Sequence, residues 1–60
     1  LVITRKEIYS YDPHEKIDGG TVGMILTGPN SDYKEHCQVH FVGFAEPWWV
    51  NFSEIEPYLN

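Results

Sequence analysis

Trp48-Trp49-Val50-Asn51-Phe52-Ser53-Glu54-Ile55-Glu56-Pro57-Tyr58-Leu59-Asn60 ends the chain, and its alternation sets the frame for everything upstream. Aromatic and β-branched residues fit a pleated, half-buried surface. Successive side chains on a strand point to opposite faces. Trp48, Val50 and Phe52 therefore oppose Trp49 and Asn51. The first set is expected in the core, which leaves Trp49 exposed beside Asn51. Ser53-Glu54-Ile55 is too short for a helix and reads as one 3₁₀ turn, with Ser53 as its cap and Ile55 plugging the end of the core. A last strand over 56–59 follows at once. Pro57 within it has no N–H to give, so it belongs at an edge or a bulge.

Working back from there, 43–47 turns the chain and 37–42 is a strand. In that strand Cys37, Val39 and Phe41 face one way, and Gln38, His40 and Val42 the other. Such polar alternation marks an antiparallel, half-buried strand. Residues 28–32, Gly-Pro-Asn-Ser-Asp, form a strong turn signal. Residues 21–27 are a strand with Val22, Met24 and Leu26 on one face. Gly19-Gly20, Gly23 and Gly28 are read as serving bends and turns. Residues 1–6 form the first strand. Residues 7–20 hold charges, Pro13 and a Gly pair without helical period, and read as one long loop of the kind that carries function. The expectation is all-β: a single domain over 1–60, built as a closed five-stranded barrel with a long first loop and a 3₁₀ turn before the last strand.

The bulk numbers agree with so small an object. Sixty residues bury only about 60% of their unfolded surface, so stability must come from a dense core or a partner. Three Phe, four Tyr and two Trp supply the first. Cys37 is the only cysteine, which excludes an internal disulfide and fits a reducing, intracellular, cytoplasmic setting. The net charge is −5 and Arg5-Lys6 is the only adjacent basic pair, so no nucleic-acid footprint is expected. Acidity suits a basic partner surface. No membrane insertion is expected.

The strand order and the polar turn before the last strand resemble the SH3-like barrel superfamily along nearly the whole chain. Within it, Val2-Ile3-Thr4-Arg5, Tyr9 and Tyr11, Gly20-Thr21-Val22, Val39-His40-Phe41 and Phe52-Ser53-Glu54-Ile55-Glu56 resemble the stromal photosystem I subunit and related electron-transport accessory barrels. That resemblance implies a non-catalytic docking piece. A barrel of this length is also similar to the type II dihydrofolate reductases, which build a ligand pore at the axis of a homotetramer. The pore strand would fall near Trp49-Val50-Asn51-Phe52, with Asn51 in place of Gln and Phe52 in place of Tyr. Tyr9-Ser10-Tyr11-Asp12 and Trp48-Trp49 echo the signalling SH3 domain, but Pro57-Tyr58 follows Trp49 too soon for its proline-peptide groove.

The candidate binding residues are Tyr9, Tyr11, Trp49 and Tyr58 as an aromatic shelf, flanked by Asp12, Glu15 and Asp18, with Asn51 beside Trp49. Exposed Trp and Tyr anchor interfaces. Acidic neighbours suit a peptide carrying Pro and Lys or Arg, or a cationic head group. His36 and His40 lie too far apart along one strand to share an ion, and Cys37 is expected to face inward. The scattered carboxylates form no acid/base pair, and so small a barrel has no internal cavity. No metal or cofactor is expected. The reading is a non-catalytic module that docks onto a larger protein. The alternative is a homo-oligomer with a ligand or reductase site at its symmetry axis.

Overall fold

The computed structural model describes residues 1–10, 15–29, 31–32 and 34–59. Its strands are β1 (Val2–Thr4), β2 (Ile8–Tyr9), β3 (Lys16–Ile17), β4 (Val22–Thr27), β5 (His36–Phe41), β6 (Trp48–Asn51) and β7 (Ile55–Pro57). A 3₁₀ turn at Phe52–Glu54 joins β6 to β7. Five strands form one antiparallel sheet in the order β6-β5-β4-β1-β7, and β2 with β3 forms a separate hairpin. The protein is thus all-β. Among the described residues no helix is long and apolar enough to cross a membrane.

The expected closure is not what the strands do. Their ladder ends at β6 on one side and β7 on the other, so the sheet is a curled half-barrel. The expected single loop over 7–20 is corrected as well. Ile8 pairs with Ile17 and Tyr9 with Lys16, and Ser10 N–H extends the pairing to Glu15 O at 3.1 Å. Ile8 and Ile17 are buried and belong to the same core cluster as Val2, Cys37, Val39, Phe41, Val50 and Ile55. The hairpin thus fills the half-barrel with two isoleucines that a loop would have left in water, each worth about 1.5–3 kcal/mol of burial.

The alternation expected of β5 holds: Cys37, Val39 and Phe41 are buried, and His36 and His40 are exposed. In β4, Met24 and Leu26 are exposed and the inward position is Gly23. Gly23 stands opposite Phe41, and a Cβ there would lie 2.7 Å from Val39 Cγ1 and 2.8 Å from Phe41 Cδ1. Its role is close packing rather than the bend expected. A bulge at Leu26 shifts the register from Ile25↔Val39 to Thr27↔Gln38.

Thr4 is the buried polar residue among those described. Its Oγ1 donates to Asp18 O at 2.8 Å and accepts Thr21 N–H at 2.9 Å, while its backbone bonds Thr21 O and Gly20 N–H. Gly20, at φ 83°, supplies the left-handed step that brings the chain back from the hairpin to β4.

The ends of the chain need smaller corrections. The first strand is Val2–Thr4, and the last is Ile55–Pro57 rather than 56–59. Phe52, expected in the core, is 54% exposed because the chain has already left the strand there. The cap of the turn is Asn51 rather than Ser53, whose N–H donates to Asn51 Oδ1 at 2.9 Å. Ile55 is buried, as a plug requires. Arg5 N–H bonds Glu54 O, and Tyr58 N–H bonds Leu1 O. Bonded and non-bonded pairs alternate in an antiparallel ladder, so the Val2↔Pro57 pair is non-bonded. The missing N–H of Pro57 therefore falls on the outer edge of the sheet, where a ladder loses nothing.

Candidate binding surface

β6 runs along one edge of the sheet, and residues from the end of the hairpin come up beside it. Val50 is buried (1%) while Trp49 is 45% exposed, as the period of two requires. Trp48 is half-buried and packs against the core cluster together with Phe44. Their rings meet edge to face, with centroids 5.6 Å apart at 76°. Trp48 then stands between two surface depressions. One, of about 530 Å³, is lined by Tyr9, Ser10, Trp48 and Trp49. The other, of about 410 Å³, is lined by Glu15, Phe44, Glu46, Pro47 and Trp48 together with Gly43 and Ala45.

Tyr9 is held at the rim of the first depression by its own hydroxyl, which donates to Glu7 Oε2 at 2.8 Å. Lys16 Nζ donates to Glu7 Oε1 at 3.3 Å and lies 3.6 Å from Asp18 Oδ1. The Tyr9 hydroxyl, then Lys16, hold the Glu7 carboxyl below its ordinary value. Glu7 in turn, as hydrogen-bond acceptor and as charge, pushes both Tyr9 and Lys16 up. The cluster fixes the Tyr9 ring across the hairpin without burying it.

The residues expected to bind are thus partly brought together. Tyr9 and Trp49 share one depression, and Glu15 lies on the neighbouring one. Asp18 lines neither, and its Oδ1 lies 3.6 Å from Lys16 Nζ. Asn51 is occupied by the 3₁₀ turn, its Oδ1 taking the N–H and the hydroxyl of Ser53 at 2.9 and 2.7 Å. Tyr58 is half-buried, with its backbone on Leu1, and lines neither depression. Tyr11 and Asp12 lie outside the described residues. Sequence reasoning missed Phe44, Glu46 and Pro47, which it had given only the role of turning the chain. The Pro47-Trp48 step beside Phe44 was the available signal.

Other chemistry finds little purchase here. Cys37 is fully buried, and burial pushes its thiol up, away from the reactive thiolate. His40 Nε2 lies 2.8 Å from Phe44 O and, facing a carbonyl, must carry the proton. Among the described residues no three His, Cys, Asp or Glu side chains gather around a common point.

The chain matches no protein-family model, no curated protein and no solved structure in the comparisons made.

Proposed function

We propose that this chain is a non-catalytic docking module of the SH3-like barrel type, which engages a segment of a larger protein through the Tyr9–Trp48–Trp49 cleft. One observation carries the reading: two Trp and a tethered Tyr line a single open depression on a protein whose core is otherwise complete. Large aromatic side chains that are part-exposed and already fixed in place cost little to order on binding. The tether of Tyr9 to Glu7 is such a fixing contact. The partner segment is extended and basic in character, since the chain carries a net charge of −5.

A displayed random-peptide library tests this. Wild type is expected to enrich a consensus with an apolar or proline residue beside a basic one, and Trp49→Ala or Tyr9→Ala to lose it. A selection that yields no consensus, or the same consensus in Trp49→Ala, overturns the reading.

A homo-oligomer is the second reading, and a different surface favours it. Leu1, Met24, Leu26 and Val42 are all more than half exposed around a hollow of about 410 Å³ that no described Asp, Glu, Lys or Arg lines. Two copies of an acidic chain can meet there without juxtaposing like charges. Light scattering over a concentration series distinguishes the readings: a stable dimer or tetramer supports this one, and a monomer throughout removes it.

A further inference from the structure

We infer that the depression between Phe44, Pro47, Trp48, Glu15 and Glu46 is a receptor for one arginine side chain of the partner. The inference rests on the docking reading above and gives it a chemical specificity.

Three observations carry it. The first is the shape of the wall. Phe44 and Trp48 stand nearly perpendicular, so they form a corner with two aromatic surfaces rather than a stack that closes on itself. Pro47 continues that wall. A flat cation laid in such a corner meets the negative face of an aromatic ring.

Charge is the second. Glu15 comes from the hairpin and Glu46 from the β5–β6 loop, so two elements distant in sequence bring acidic residues to the same depression. Neither is paired with a cation among the described residues.

The third is where the chain's own cations are. Lys16 is committed to Glu7 and Asp18, Arg5 reaches Ser53 O at 3.5 Å, and Lys34 lines a separate hollow with Glu35 and His36. Neither Lys6 nor any other Lys or Arg lines the depressions beside Trp48. Among the described residues the two acidic side chains thus have no internal counter-ion, and an incoming cation supplies it.

Guanidinium fits this arrangement better than ammonium. It is planar, sheds water more readily, stacks on an aromatic face, and keeps its edge N–H groups free for carboxylates on either side. An ammonium needs a more enclosing set of rings to replace its hydration. The depression and the Tyr9–Trp49 cleft lie on either side of Trp48, so an extended segment that crosses it can seat an apolar residue in one and its arginine in the other.

Trp49 lines the first depression only and Trp48 lines both, so a Trp48 indole shift without a Trp49 shift marks the second. Titrating the whole chain with N-acetyl-arginine methylamide should move the Trp48 signal and leave Trp49 nearly still. The lysine analogue should need about tenfold higher concentration for the same shift. The citrulline analogue, equal in shape and uncharged, should produce none. The Glu15→Gln/Glu46→Gln double variant, with both changes on exposed side chains, should keep the spectrum elsewhere and lose the arginine response. Equal responses to arginine and lysine, a response to citrulline, a silent Trp48, or a response that survives in the double variant would each overturn the assignment. Failure here is read on Trp48 alone. Failure of the docking reading is a library selection without consensus.

Discussion

Asn51 and Glu54 hold each other across the 3₁₀ turn: Glu54 Oε1 accepts the Asn51 backbone N–H at 3.0 Å, and the Asn51 side chain accepts the backbone N–H of Glu54. The bond does more than cap the turn. Phe52 N–H bonds Glu35 O at 2.7 Å, so by alternation Cys37↔Val50 is a bonded pair and His36↔Asn51 is not. The Asn51 N–H therefore points away from β5, toward the outer edge of the sheet, and Glu54 closes it. Asn51→Ala removes the cap and should cost about 1 kcal/mol of stability. Glu54→Gln, which keeps an acceptor, should cost less. Urea denaturation followed by Trp fluorescence measures both, and an Asn51→Ala midpoint equal to wild type would refute the reciprocal cap.

Thr4 predicts a larger loss from a smaller change. Thr4→Val keeps the shape and removes the hydroxyl, which leaves the Thr21 N–H without its part-buried partner, while the Asp18 carbonyl keeps the Thr21 hydroxyl at 2.7 Å. The expected cost is about 1–3 kcal/mol. Thr4→Ser keeps both bonds and should recover most of it. A Thr4→Val protein as stable as wild type would mean that water replaces the hydroxyl.

At Gly23 the issue is space. The Cβ of Gly23→Ala would press on Val39 and Phe41, both buried, and on His40 O at 3.1 Å. Overpacking of this kind costs about 1–3 kcal/mol. Gly28→Ala is the control, because no described residue stands within 4 Å of its Cβ direction. Equal midpoints for the two variants would show that the β4–β5 contact is looser than described.

The Glu7–Tyr9–Lys16 cluster predicts a pH profile. The folded value of Glu7 is lowered, so its contribution is complete above the ordinary carboxyl value of 4.5 and is lost as pH falls through the lowered one. Tyr9 and Lys16 are raised, so theirs are complete below the ordinary phenol value of 10.0 and are lost as pH rises through the raised ones. The hairpin should be best protected between those limits. Tyr9 should ionise at higher pH in wild type than in Glu7→Gln, as followed by tyrosinate absorbance. No difference between the two would remove the Glu7 bond.

Much of the sheet is legible in the sequence, because its strands are long enough to show a period. The alternation of Cys37, Val39 and Phe41 against Gln38 and His40, and of Val50 against Trp49, survives intact in the fold. The β2–β3 hairpin is not legible, since strands of two residues carry no period and its apolar content is one Ile on each side. Phe52 misleads because the alternation continues in the sequence one residue past the point where the backbone turns. Gly23 misleads in a different way: a glycine that permits a bend and one that makes room for Phe41 look the same until the neighbour is known. The meeting of Glu15 with Glu46 beside Trp48 is invisible for the same reason. Two loops create it, and neither encodes it alone. Trp49 is the exception among the site residues, because its exposure follows from counting along β6.

The two rims of the half-barrel have one consequence for how anything recognises it. Open sheets commonly recruit a visiting chain by letting it join as another strand, main chain to main chain, with little regard for what that chain spells. Here Pro57 offers such a visitor no donor on one rim, and Glu54 already occupies the Asn51 donor on the other. With one donor withdrawn from each rim, a visiting strand finds less backbone to pair with there, and side chains would have to supply more of its recognition.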